Sequence, residues 1–307
     1  MVRRAAVSAI HDETTQPDTG EAIEAADGSA EGSVDGSVDG SVDGSVDGER
    51  PGEEGAAPVK SAQRTIDLLE TFAANHAWTS LAELHARTGF PRSSLHGLLR
   101  TLRDAGWIEA DRAGTKFRLG IRALICATAY LDRDPAMPYA TDALERVREE
   151  TGCTAHYARR DGTQVVYLET RESRHSIHLV SRVGRTLPTY ATSLGKALLT
   201  ELTDEEITEL LPRNLPALTN HTITDREALR QELAEIRERG YSLEREEGTQ
   251  GIACVAAVVP YRIPATDALS CSMPAADLTK SEAKRIGELL RDVTTDLGGQ
   301  LRRAGIR

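Results

Sequence analysis

Ordered patterning begins near Val59. From Ser61, the apolar residues Ile66, Leu69, Phe72 and Ala73 recur at helical spacing and predict a first helix ending at Ala73. Thr79-Ser80 supplies an N-cap for Leu81–Thr88, and Gly89 suits a left-handed C-cap. Pro91 fits the first position of a third helix, where a missing N–H costs nothing. Along that helix Leu95, Leu98, Leu99 and Leu102 face inward, and Arg92, Ser93, Ser94, His96, Arg100 and Arg103 form a polar, basic outer face. Two short helices around a glycine turn, the second basic outside, describe a helix-turn-helix whose second helix enters a major groove.

Gly106 to Gly120 reads as two strands around a turn at Ala113-Gly114, a wing, with Arg112, Lys116 and Arg118 at its tip and on its return strand. Ile121–Leu131 is apolar on one face and predicts a linker helix closed by Asp134-Pro135 and Pro138. Beyond it helices and strands mix. A helix is expected over Tyr139–Glu150, with strands at Thr154–Arg159, Gln164–Glu169, Ser176–Ser181, Gly251–Val259 and Ala268–Met273. Thr224-x-x-Glu227 and Thr279-x-x-Glu282 read as capping boxes of later helices. That order predicts an α+β domain with a largely antiparallel sheet.

Charge sharpens this division. Residues 1–57 hold 3 Lys/Arg against 14 Asp/Glu and four tandem Gly-Ser-Val-Asp copies from Gly32 to Asp47, whereas the other 250 residues balance at 34 against 34. Such a tract buries too little to offset its ordering entropy, so 1–57 is expected to be a disordered acidic tail. The alternative is an acidic arm that competes with DNA or meets another protein. Residues 58–122 carry 10 Lys/Arg against 6 Asp/Glu, and 123–307 carry 24 against 28. A local basic excess is what a DNA-binding module joined to a sensor would show. Expected boundaries are therefore 58–120 for a winged helix-turn-helix, 121–137 for the linker and 138–307 for the sensor.

Cys126, Cys153, Cys254 and Cys271 have no spacing suited to a metal or redox pair. No metal or cofactor is expected. Without a membrane-spanning run or a secretory leader, a cytoplasmic protein is expected.

The chain resembles the IclR-type bacterial transcription regulators over about 59–305. The likeness rests on Gly89-Phe-Pro-Arg-Ser-Ser-Leu-His-Gly-Leu-Leu99, Phe117-Arg-Leu-Gly120, Leu187-Pro-Thr-Tyr-Ala-Thr-Ser-Leu-Gly-Lys-Ala-Leu198, Ile236-Arg-Glu-Arg-Gly-Tyr241 and Gly251-Ile-Ala-Cys-Val-Ala-Ala257. It implies a winged helix-turn-helix, a GAF-like effector domain, dimers or tetramers, and ligands that are small organic acids or aromatics. It also carries ligand positions over to Ser193, Leu194, Glu244, Cys254, Ser270 and Ser272. Their chemistry is compatible: a helix start offers N–H groups to a carboxylate, and Ser270 and Ser272 alternate onto one strand face. Each also has a plainer reading, as core cysteine, backbone-bonded serine or packing residue.

Two residues depart from the family pattern. Gly97 stands where many members carry Arg, at a cost of about 1 kcal/mol in helix propensity. Glu244 replaces the Asp of many relatives. Lys196, directly after a helical glycine, is expected at the surface.

The expected partners are double-stranded DNA with a pseudo-palindromic operator, a small-molecule effector and a second copy of the chain. The main expectation is a ligand-controlled repressor rather than an enzyme. The alternatives are an architectural DNA-binding protein, or an enzyme with Cys254 as nucleophile and His156, His175, His178 or His221 as base.

Overall fold

In the computed structural model, which describes residues 59–75, 77–173 and 183–307, helix α1 (Lys60–Ala73) buries Leu68 and Phe72. Of the expected stripe, Phe72 is buried and Leu69 packs against the core, whereas Ile66 is half exposed and Ala73 is exposed. This helix has apolar residues on two faces, and α2 and α3 take the one through Leu68. The acidic segment 1–57 and the strand expected at Ser176–Ser181 lie outside the described residues.

Strand β1 (Thr79–Ser80) leads into α2 (Leu81–Thr88). Ser80 and Glu83 form the reciprocal capping box, and Gly89 closes the helix at φ 67°. Pro91 is the N-cap of α3 (Arg92–Asp104), one position before its expected place. Leu95, Leu99 and Leu102 of α3 close the core with Leu68, Phe72, Leu84, Ile108 and Phe117. The wing is β2 (Ile108–Ala110) against β3 (Lys116–Leu119), and β3 also pairs with β1. Its turn is fastened by Asp111, whose Oδ1 accepts the N–H groups of Thr115 at 2.7 Å and Lys116 at 3.0 Å.

Helix α4 (Ile121–Arg133) buries none of its residues. Pro138 starts a helix instead of closing one: α5 (Met137–Thr151) has it in the first turn, where proline needs no donor. Then come β4 (Thr154–Asp161), β5 (Gln164–Arg171), β6 (Thr186–Pro188), α6 (Ser193–Leu199), α7 (Asp204–Leu210), α8 (Arg226–Arg239), β7 (Ser242–Arg245), β8 (Ile252–Val258), β9 (Asp267–Pro274) and α9 (Lys280–Arg303). The helix marked by Thr224 is capped by Asp225 instead, which accepts the Ala228 N–H at 2.8 Å.

Among the described residues, β4 to β9 form one antiparallel sheet in the order β6-β5-β4-β9-β8-β7. Alternation along β4, β8 and β9 divides its side chains between two layers. Ala155, Tyr157, Val255, Leu269 and Cys271 pack against α5 and α9. Ala158, Ala256 and Ala268 pack against α6 with Tyr167 of β5. Small residues on this second face leave room for a cavity beside α6.

Candidate functional site

The second face of the sheet carries polar residues in rows. Glu244, Cys254, Ser272 and Thr154 are successive cross-strand partners on β7, β8, β9 and β4. Two residues along lie Ser242, Ala256, Ser270 and His156. Above them is a cavity of about 820 Å³, lined by Glu244, Cys254, Ser270, Ser272, Thr192 and Ser193, with Tyr167 and Arg185 at its side. That volume is in the usual range for small-molecule sites.

Local chemistry holds the start of α6 over the sheet. Thr192 Oγ1 accepts the Gly195 N–H at 3.0 Å, and Ser242 Oγ donates to the Ser193 carbonyl at 2.5 Å. Gly195 is needed for this approach, because a Cβ there would lie 2.2 Å from Thr189 Cα. Leu194, expected in the site, does not line the cavity; its side chain is packed with Tyr167 and Ala256.

Burial dominates the electrostatics. It raises the Glu244 carboxyl to about 7, against the opposing bonds from Cys254 and the Glu247 N–H. Burial and then the Glu244 charge push the Cys254 thiol well up; its Sγ lies 3.2 Å from Ser272 Oγ. A protonated thiol beside a hydroxyl is a weak hydrogen-bonding wall, not an activated nucleophile. His156, fully buried and edge-on to Tyr167, is driven down to about 3, first by burial and then by the Arg185 charge. Its Nδ1 is 3.0 Å from Thr170 Oγ1.

Lys196 overturns its expected surface position. It is 1% exposed, and its Nζ meets Glu247 Oε1 at 2.7 Å and Glu232 Oε1 at 3.8 Å. The residues missed from sequence are Lys196, Glu247, Arg185, Tyr167 and Thr192. Only Thr192 had a local signal, as a cap residue before a helix.

On the first domain, a cleft between α3 and the wing is lined by Ser93, His96, Arg100 and Arg103 on one side and Gly114 and Thr115 on the other. Arg92, Ser93, His96, Arg100, Arg112 and Lys116 are exposed. Two expected contacts are otherwise engaged. Ser94 is half-buried and accepts from Arg64 Nη1 at 3.3 Å. Arg118 donates to Glu109 Oε2 at 2.8 Å and lies over the Trp78 ring at 4.5 Å. Glu109 is its cross-strand partner.

Family models match both halves: the IclR helix-turn-helix domain over residues 61–112 and the bacterial transcriptional regulator IclR C-terminal domain over 128–298. The chain belongs to the IclR family. It is 33% identical to the HTH-type transcriptional regulator XynR of Escherichia coli over 202 residues, covering 66% of this chain and 80% of that one. It is 29% identical to the transcriptional repressor IclR of the same organism over 250 residues, covering 78% and 91%. The solved structure of an IclR homolog from Microbacterium hydrocarbonoxydans, complexed with 4-hydroxybenzoate, superposes with a TM-score of 0.66 at 26% identity, covering 79% and 99%. As an IclR-family member the chain is a DNA-binding transcription regulator with a C-terminal effector-binding domain, not an enzyme. Among the described residues no helix is long and apolar enough to cross a membrane.

Proposed function

We propose that this regulator is a cytoplasmic repressor whose operator affinity is set by a small organic acid, aliphatic or aromatic, held between α6 and the sheet. The cavity over the Glu244-Cys254-Ser272 row is the observation that carries this reading. Arg185 supplies positive charge at one side of the cavity, and Ser193, Ser270 and Ser272 supply hydroxyls. Glu244, near neutrality in its protonation, can donate to or accept from a ligand hydroxyl. A relative complexed with a hydroxy acid, 4-hydroxybenzoate, supports that ligand chemistry.

On the DNA side, Ser93 and His96 meet base edges while Arg92, Arg100, Arg112 and Lys116 meet phosphates. Residues 58–120 act as the DNA-binding domain, 121–137 as the linker and 138–307 as the effector domain. The exposed apolar residues Ile66, Ile121, Leu124 and Ile125 support a dimer through α1 and α4, and a two-fold dimer calls for a pseudo-palindromic operator.

The test is a thermal-shift screen of carboxylates and hydroxyaromatic acids, followed by retardation of a duplex selected from a random pool. At least one acid should raise the melting temperature and change retardation. Acids that bind without changing DNA affinity would overturn the regulatory reading.

A further inference from the structure

Asp267 opens β9 with its side chain completely shut off from solvent. Its carboxylate accepts from Arg159 Nε and Nη2, each at 2.7 Å, from the hydroxyls of Tyr157 and Tyr261, and from Thr266 Oγ1 at 3.0 Å. The Arg159 fork spends two nitrogens on Asp267, so its third, Nη1, points away from the sheet. There it donates to Tyr130 OH on α4 at 2.9 Å and pairs by charge with Asp134 Oδ2 at 2.7 Å, a contact without hydrogen-bond geometry. Asp134 sits between α4 and α5, and its Oδ1 accepts the Ala136 N–H at 3.0 Å.

We infer that Arg159 is a positioning residue that fixes the linker helix α4 to the effector sheet and passes strand shifts to it. Its two strands are those of the cavity. Asp267 precedes Ser270 and Ser272 on β9, and Arg159 follows Thr154 and His156, their cross-strand partners, on β4. A ligand that displaces β9 against β4 therefore moves both ends of the Arg159 fork. The transmitted part of this inference rests on the cavity reading above; the tie itself does not. Only a planar guanidinium can hold one carboxylate with two donors and aim a third elsewhere. A lysine would keep the charge beside Asp267 and lose the reach.

That difference supplies the experiment, on the full chain without ligand. Hydrogen exchange is followed by mass spectrometry in wild type, Arg159→Lys, Asp134→Asn and the double variant, beside retardation of the pool-selected duplex. Arg159→Lys should speed exchange in 121–133 by about fivefold, what its one hydrogen bond to Tyr130 is worth, and Asp134→Asn, which removes only the ion pair, by a smaller factor, with β8 and β9 amides unchanged. The double variant should add little, since both changes cut the same tie. Affinity for the duplex should shift with α4 exchange. Unchanged exchange in 121–133 overturns the inference, and so does exchange rising equally across β8 and β9, which would make Arg159 a stabiliser of the sheet alone. A failed carboxylate screen would sink the cavity reading and leave these exchange results standing.

Discussion

Lys196 of α6 and Glu247 form an ion pair at 2.7 Å, with the lysine wholly buried. Burial nevertheless raises the Glu247 carboxyl above its ordinary value, outweighing the pull of Lys196. The pair therefore adds little net stability over an apolar pair, but breaking it is costly. Lys196→Met should lower unfolding free energy by about 3–5 kcal/mol, because Glu247 is left uncompensated. Lys196→Met combined with Glu247→Leu should recover most of the loss. Urea unfolding of the two proteins checks this; equal stability of the single and double variants would deny the coupling.

Glu244 gives a pH dependence of definite sign. Its folded pKa of about 7 stands above the ordinary 4.5, so the folded state holds this proton more tightly than the unfolded chain. The stability from that proton is full below pH 4.5 and lost as pH rises through 7, on the order of 3 kcal/mol in all. Glu244→Gln removes the titration. The variant should match wild type near pH 4 and exceed it at pH 8, in thermal melts of both proteins across that range. His156 acts oppositely, its contribution being kept above pH 6.5 and lost as pH falls toward 3. Being present in both proteins, it cancels from the comparison.

The first domain was legible because its signals are local. Ser80 and Glu83 lie three residues apart, Gly89 marks its own helix end, and the leucines of α3 repeat at one period. Ile66 misled because periodicity gives the stripes of a helix but not which one is covered. Lys196 was illegible for a different reason. Its partners Glu232 and Glu247 are brought to it by α8 and the turn after β7, and sequence spacing says nothing about that meeting. The edge strands β6 and β7 are too short to show alternation, yet β7 delivers Glu244. Period two alone put Ser270 and Ser272 together on one face of β9, as the ladder has them.

Arg100 and Arg118 should part company in DNA binding. Arg100 is exposed beside the α3–wing cleft, whereas Arg118 is held by Glu109 and Trp78. Arg100→Ala should weaken binding to all duplexes and flatten the slope of log affinity against log salt by about 1. Arg118→Ala should leave the slope nearly intact. Titrations at several salt concentrations decide; identical slopes for the two variants would return Arg118 to the contact set.

Leu124 and Ile125 on α4 are 58% and 57% exposed. A contiguous apolar surface of this kind on a regulator calls for a partner. Leu124→Glu with Ile125→Glu should convert the proposed dimer to a monomer without lowering the effector domain's melting temperature, since neither residue is buried in the protomer. Light scattering reads the mass. A double variant of unchanged mass would move the dimer contact elsewhere.

Ser270 and Ser272 test the ligand site most directly. Both hydroxyls line the cavity, on the strand between Cys254 and Thr154. Removing both leaves the fold's apolar layer untouched, since that layer is built from Leu269, Cys271 and Met273 on the other face. Each hydroxyl that bonds an anionic ligand contributes about 1.5–3 kcal/mol, so Ser270→Ala with Ser272→Ala should weaken binding of a carboxylate found by the screen by at least about tenfold. Binding of DNA without the carboxylate should stay near wild type, because the DNA contacts lie in the other domain. Ligand control can be no larger than the ligand's preference for one arrangement of the protein over another. At a carboxylate concentration that saturates wild type, the variant should therefore respond weakly; at saturation of the variant itself, the response should return. Isothermal titration with retardation at both concentrations separates lost affinity from lost coupling, and equal affinities for wild type and variant would put the ligand elsewhere.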